Sequence, residues 1–308
     1  MSAENTHITV LKDEAVAALI TQLDGIYVDA TFGRGGHSQA VLEALSPQGR
    51  LYGFDRDQTA EPHGSSLAAT DERFTFVPQD FAAMSTFFEQ QGLLGRIDGL
   101  LFDLGVSSPQ LDRSVRGFSF QQNGPLDMRM DQRSGRTAAQ WLNQADETEI
   151  ANVLYTLGEE RRSRQIARVI VQKRSETPLV TTQDLVDCVC LVIPQGREKK
   201  HPATRTFQAV RLHINQELEQ LRQALDNSLE LLKPGGRLVV ISFHSLEDRM
   251  VKQFIRAHST YEKDFFGNPI GQVALKRIGR AVRADQQQIK ANPRARSAIM
   301  RVAERVVA

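Results

Sequence analysis

Four aspartates, Asp29, Asp55, Asp80 and Asp103, each close a short apolar run in the first part of the chain. Core packing gives no reason for a carboxylate to end a buried strand. Hydrogen bonding to a ligand does, because binding sites of open α/β sheets gather at the strands' carboxyl ends. The first of the four sits inside Gly25-Ile-Tyr-Val-Asp29-Ala-Thr-Phe-Gly33-Arg-Gly35-Gly36-His37. Glycines at a strand-to-helix turn let a backbone come close to a ligand, and the helix that follows offers unpaired N–H groups. About twenty residues on, Leu51-Tyr-Gly-Phe54 runs into Asp55, a position suited to accept both hydroxyls of a ribose. Asp80 and Phe81 stand where an adenine could be hydrogen-bonded and covered.

These features describe a nucleoside-cofactor site, and the turn discriminates between cofactors. A dinucleotide fingerprint needs glycine at the sixth position from Gly33, which here is Ser38. Asp29, just ahead of the turn, would repel a pyrophosphate. A cofactor with an amino-acid end and no phosphate tolerates that carboxylate, so S-adenosylmethionine fits better than NAD. A tight turn that binds nothing would use the same glycines; Asp55 at ribose distance counts against that reading.

The elements that must carry these residues follow from the pattern. Ile26–Val28, Leu51–Phe54, Phe74–Val77 and Ile97–Phe102 read as strands alternating with helices, which implies a parallel, doubly wound α/β sheet. Ahead of them Glu14–Leu23 is amphipathic. Residues 111–136 break the alternation with a long loop of Arg, Phe, Met and turn residues, a type that is usually functional or disordered. Helical signals follow: Asp146 with Glu149 as a capping box, then basic, amphipathic Arg161–Arg174, then a helix opened by Thr181 or Thr182. We read 111–205 as an inserted, all-helical, basic subdomain that binds RNA, with 1–110 and 206–308 forming the catalytic domain. Phe207–Leu232 reads as one long helix, Arg237–Phe243 as a fifth strand, and Ser245 with Asp248 as the cap of the next helix. Val273–Ile278 and Ser297–Val302 can pair antiparallel at the sheet edge.

Net charge is only +1 over 308 residues, but it is split. Residues 1–110 hold 6 basic against 15 acidic side chains, and the remainder holds 32 against 22. A basic second part suggests a polyanionic partner, although solvated helix faces would look the same. No apolar run matches a membrane span and the first residues lack a signal pattern, so a cytoplasmic protein is expected. The two cysteines, Cys188 and Cys190, have no further Cys to complete a metal site, and no metal is expected.

Several longer stretches are similar to one family, the bacterial small-subunit ribosomal RNA (cytosine-N4)-methyltransferases, RsmH or MraW. They are Asp29–His37, Phe54–Asp57, Asp103–Gln110, Arg116–Phe120 with Gly124–Asp131, His201–Arg211, Pro234–Arg237 with Ser242–Arg249, and Asn292–Arg296. The resemblance implies a seven-stranded Rossmann-like sheet of the S-adenosylmethionine-dependent methyltransferase type, with a helical insert after the fourth strand. It implies methylation of the exocyclic N4 amine of one cytidine in the decoding region of 16S ribosomal RNA, the substrate being an assembled or near-assembled small subunit. Cofactor positions that carry over are Gly35, Gly36, His37, Asp55, Phe81, Asp103 and Gln110. The sequence departs from the family at residues 58–70, where the expected helix is not evident, and at 259–272, which look short. Oligomeric state stays open, a homodimer included.

The reaction sets its own demands. A cytosine amine is a weak nucleophile because its lone pair is delocalised into the ring, so alignment and acceptors for its hydrogens must do the work. Asp103 is the candidate catalytic group, as acceptor from the target amine, holder of the cofactor ammonium, or both. Arg161, Arg162, Arg164, Arg168, Lys199, Lys200 and Arg205 are the candidate RNA contacts. Two other readings share parts of this pattern: a methyltransferase for protein or small molecules, and a non-catalytic RNA-binding assembly factor.

Overall fold

The computed structural model describes residues 9–196, 201–266 and 268–306. They form two compact units, one comprising the chain up to Gly105 and again from Leu218, the other Val106–Glu217.

The first unit is built on a seven-stranded sheet. Its strands are β1 (Ile26–Asp29), β2 (Arg50–Phe54), β3 (Phe74–Val77), β4 (Ile97–Asp103), β5 (Leu232–Ser242), β6 (Leu275–Arg283) and β7 (Ile299–Arg305). They lie in the order β3-β2-β1-β4-β5-β7-β6, with β1 to β5 parallel and β7 antiparallel to both its neighbours. This is a Rossmann-like α/β sheet, and the antiparallel edge pair falls where the apolar segments near 275 and 300 suggested.

Alternation along each strand divides the apolar residues between two cores. Val28, Leu100 and Val240 face a core closed by helices Met84–Gln90, Glu217–Leu231 and Ser245–Ser259. Tyr27, Leu101 and Val239 face a second core under helices Lys12–Leu19 and Gly36–Ala44. Such strands read as continuous apolar runs because they are buried on both sides. Among the described residues, no helix is long and apolar enough to cross a membrane.

Three local expectations need correction. Residues 58–70 do contain a helix, Glu61–Thr70, although its apolar periodicity is weak. It packs through Gly64, where a Cβ would lie 2.3 Å from the Phe76 ring. Helix Ser245–Ser259 is capped by His244 with Glu247, one residue ahead of the expected Ser245 and Asp248 pair. Asp146 stands at the expected N-cap without a side-chain cap bond, and the Glu149 side chain, expected to complete the box, accepts the Trp141 indole N–H at 2.7 Å. The segment 259–272 holds a short hairpin, Glu262–Lys263 with Pro269–Ile270.

The second unit packs helices Ala138–Gln144, Glu147–Gly158, Ser163–Glu176, Thr182–Val192 and Thr204–Ile214 around Trp141, Leu154, Ile166, Leu185 and Phe207. Thr181 caps its helix in a box with Asp184. Cys188 is buried in this core, its thiol pushed up to about 11 by desolvation, and both cysteines are free. The expected long helix 207–232 is two helices, because Gln216 takes a left-handed conformation, φ 51. The first of them, Thr204–Ile214, buries Phe207 and Val210 in this core. The unit therefore runs to Glu217 rather than ending at 205.

Residues 113–137 carry almost no regular structure, yet they are tied down. Arg116 is buried and donates to the carbonyls of Arg129 and Met130 at 3.0 and 2.9 Å. Asn215 accepts from the Met130 N–H at 2.7 Å and donates to the Met128 carbonyl at 2.7 Å. Asn215→Ala strips two buried backbone groups of these partners, and we expect it to destabilise the second unit by about 2–4 kcal/mol. Denaturant titration, with amide exchange at Met130 as local probe, measures this; unchanged protection there would refute it.

Candidate functional site

The turn after β1 is fixed to three strands at once. Asp29 ends β1 and is buried; its carboxylate accepts from the Ser38 hydroxyl at 2.7 Å and the Thr31 N–H at 3.1 Å. Gly33 N–H donates to Asp55 Oδ2 at 2.7 Å, joining the turn to the end of β2. The Asp103 N–H donates to Thr31 Oγ1 at 2.7 Å, joining it to the end of β4. Two glycines make the path possible. Gly35 has φ 77, and a Cβ there would meet the Phe32 ring at 2.8 Å; a Cβ on Gly36 would meet Thr9 Oγ1 at 2.0 Å. Gly35 caps helix Gly36–Ala44 with no side-chain bond, so the helix presents first-turn N–H groups that no side chain caps.

The remaining predicted cofactor residues of this unit lie along the same carboxyl edge. His37, in the first helical turn, is buried with Nδ1 3.7 Å from Asp103 Oδ2. Asp55 Oδ1 accepts the Asp57 N–H at 2.8 Å. Phe81 begins the 3-10 turn Phe81–Ala83 and stands edge-on to Phe102, 5.7 Å between ring centroids. Asp80 is already engaged: one oxygen accepts from Ala82 N–H at 2.9 Å and the other pairs with Arg56 at 2.8 Å. Arg56 in turn donates to Gln220 at 2.7 Å. Each carboxylate oxygen carries two lone pairs, so these contacts leave Asp80 with acceptor capacity. Gln110 belongs to the second unit, in the short helix Ser108–Asp112, where its side chain accepts from Ser107 N–H at 2.8 Å.

Burial shapes the acid chemistry of this edge. Desolvation raises both Asp29 and Asp55 to about 6, against the hydrogen bonds just described. Asp103 is held well above the usual carboxylate range, by burial first and then by the charges of Asp29 and Glu247. Its Oδ1 is buried with no hydrogen-bond partner among the described residues. Negative groups crowded out of water, with an acceptor oxygen unmet, favour a cationic ligand and disfavour a pyrophosphate. The donor set therefore fits S-adenosylmethionine, which carries an ammonium and a sulfonium.

Sequence reading missed Glu247 as part of this edge. It is buried, accepts from the Phe243 N–H at 2.8 Å, and lies 3.0 Å from His244 Nε2. The available signal was its spacing of three from His244, which marks a capping box.

On the second unit the structure places Arg161 and Arg162 just before helix Ser163–Glu176 and Arg164 and Arg168 on it, all exposed. Arg162 donates to the Val192 carbonyl at 2.7 Å, and Arg168 lies 3.9 Å from Glu147. Exposed Arg205 reaches the Glu159 carbonyl at 3.3 Å. Arg161 and Arg164 carry no ion pair among the described residues. Lys199 and Lys200 lie outside the described residues.

Comparison with known proteins covers the whole chain. The model of the MraW methylase family matches residues 4–306. A protein named ribosomal RNA small subunit methyltransferase H from Shewanella denitrificans is 49% identical over 99% of both chains. Proteins of the same name from Thioalkalivibrio sulfidiphilus and Nitrosospira multiformis are each 52% identical, over 97% and 99% of both chains.

The weakened acidity of Asp29 has a direct consequence for stability. Its folded value, about 6, exceeds the ordinary 3.8, so the folded state keeps the proton that the unfolded chain has already lost. Its contribution is full below about pH 4 and is lost as pH rises through about 6. We expect Asp29→Asn to flatten the fall in unfolding free energy over that window, read by denaturant titration at a series of pH values. An unchanged slope would show that Asp29 ionises normally.

Proposed function

The chain belongs to the MraW methylase family, and on that premise we propose that it methylates the exocyclic N4 amine of a cytidine in the decoding region of 16S ribosomal RNA. The cofactor is S-adenosylmethionine. The observation that carries the reading is the unmet, buried Oδ1 of Asp103 at the carboxyl edge of β4, next to a turn built on Gly33, Gly35 and Gly36. The protein acts in the cytoplasm on a small subunit that is assembled or nearly so.

When bound, the cofactor supplies an electrophilic methyl group on sulfur. The protein's part is to hold, orient and balance charge. Asp55 accepts the ribose hydroxyls, and Phe81 covers the adenine. The turn at Gly35 and Gly36 and the side chain of His37 line the methionine end. Asp103 takes the ammonium, which favours its ionised form. Acceptors on the hydrogens of the target amine raise electron density on nitrogen as it attacks. The insert, with Arg161, Arg162, Arg164, Arg168 and Arg205, supplies cations for RNA phosphates, as would Lys199 and Lys200 beside them.

A protein or small-molecule substrate would have no use for that basic face, and a non-catalytic assembly factor would have none for carboxylates at strand ends. Tritiated methyl transfer onto purified small subunits, free ribosomal RNA and total protein separates the three; label in protein alone would overturn this reading.

The cofactor residues make a further expectation. Asp55→Ala should weaken S-adenosylmethionine binding by about 2–3 kcal/mol, because ribose hydroxyls lose a charged acceptor. Asp103→Asn should weaken it by about 1.5–3 kcal/mol, with the single-turnover rate recovering at saturating cofactor. Calorimetry and single-turnover kinetics on the same preparations check both. A rate that stays low at saturation would move Asp103 from the ammonium to the target amine.

For the RNA face, replacing Arg161, Arg164 and Arg168 by Gln should flatten the log–log salt dependence of RNA binding by about 2, at ~0.7–0.9 per phosphate contact. Cofactor affinity should stay at the parent value. Filter binding from low to moderate salt reads the slope, and a slope equal to the parent's would mean that this face is merely solvated.

A further inference from the structure

Within the first unit, helix Ser245–Ser259 and edge strand β6 enclose a cleft of about 690 Å³. Lys252 and Arg256 line it from successive turns of the helix, and Lys276, Arg277 and Arg280 from the strand. All five are exposed and carry no ion pair among the described residues. The nearby carboxylates are already matched. Asp248 holds Arg301 through two bonds of 2.7 and 3.0 Å. Glu304, opposite Lys276 in the ladder, pairs with Arg237 at 2.8 Å. Lys276 shares the far face of the strand with Ile278, so four cations, Lys252, Arg256, Arg277 and Arg280, are left around one concavity with no ion pair among the described residues.

Charge on an edge strand can serve simply to stop another chain from pairing with it. That purpose does not call for Lys252 and Arg256, which stand on the helix across the cleft. The strand itself is bent toward a binding role: its register shifts between Ile278 and Val282, with Gly279 at φ 63. A bulge of this kind re-aims the side chains around it. Tyr261, half exposed, closes one end of the cleft. The hairpin that follows carries Phe265 and Phe266, 97% and 85% exposed, with ring centroids 5.5 Å apart. Cations lining a groove, with the Tyr261 ring among them, are what single-stranded nucleic acid requires: charge for the backbone and a flat face for a base.

We propose that this cleft is a second RNA contact site, separate from the basic helix of the insert, which takes the phosphodiester backbone of a single-stranded segment and stacks a base on Tyr261. The inference rests on RNA being the substrate.

The test uses the full-length protein and three variants: Lys252→Gln/Arg256→Gln/Arg280→Gln together, Tyr261→Ala alone, and the insert variant Arg161→Gln/Arg164→Gln/Arg168→Gln. The probes are a labelled single-stranded RNA of ~12 nucleotides, within the span such grooves cover, and small subunits lacking the methyl group. The cleft triple variant should bind the oligonucleotide at least ~10-fold more weakly, with a salt slope flatter by about 2. Tyr261→Ala should weaken binding severalfold and leave the slope as it was. Both should keep the parent's melting temperature and S-adenosylmethionine affinity. If the cleft variants bind RNA as the parent does while methyl still enters ribosomal RNA, the cleft proposal alone is overturned. If they lose RNA affinity but no methyl enters RNA even with the parent, the cleft stands and the methylation reading falls. A parent protein that prefers anionic lipid vesicles to RNA through these same residues would also overturn the proposal.

Discussion

Burial of the Asp29 carboxylate is the constraint on which the rest of the site depends. A charge at the end of an interior strand is tolerated only with donors in place. Here the Thr31 N–H, on the turn, and the Ser38 hydroxyl, in the first turn of the helix that follows, are those donors, so they bracket the segment that must be positioned. Meeting this one requirement fixes where the chain goes between β1 and its helix. Asp55 then fastens the same turn through the Gly33 N–H, and Thr31 accepts from the backbone of Asp103. Three strand ends are thereby brought into register by four consecutive bonds, none of which involves a ligand. A preorganised turn of this kind need not be ordered at the moment of binding.

The same burial leaves the edge short of positive charge. Asp103 is raised by its own desolvation and by Asp29 and Glu247, so the unliganded site favours the protonated form. A cation entering there gains attraction and also removes a strained ionisation. That selectivity lies in the wall of carboxylates more than in any single contact. It explains why a glycine turn that resembles a nucleotide-binding loop should reject a pyrophosphate.

How much of this the sequence revealed depended on how local each cause was. β1 to β5 were legible because strands buried inside the sheet are continuous apolar runs, and aspartates close the first four of those runs visibly. Helix Glu61–Thr70 was not, since it is held by Gly64 lying under the Phe76 ring rather than by an apolar stripe of its own. The break at Gln216 was hidden for a similar reason. Helical periodicity continues through it, and the residue that exploits the break, Asn215, bonds to Met128 and Met130 more than eighty residues away. The cap at His244 was displaced by one position because Ser245 is the commoner capping residue.

The position of β7 has a consequence for the chain as it is made. This strand, residues 299–305, lies between β5 and β6, both of which precede it in sequence. Until it has emerged from the ribosome, β5 has an open flank and β6 has nothing to pair with. Cotranslational folding can therefore close the parallel part of the sheet early, but it leaves an unpaired interior strand exposed to other nascent chains. The insert, whose residues form one continuous stretch of chain, can fold in the meantime. Assembly of the molecule is thus ordered in time, and its last event is a strand slipping between two that have been waiting.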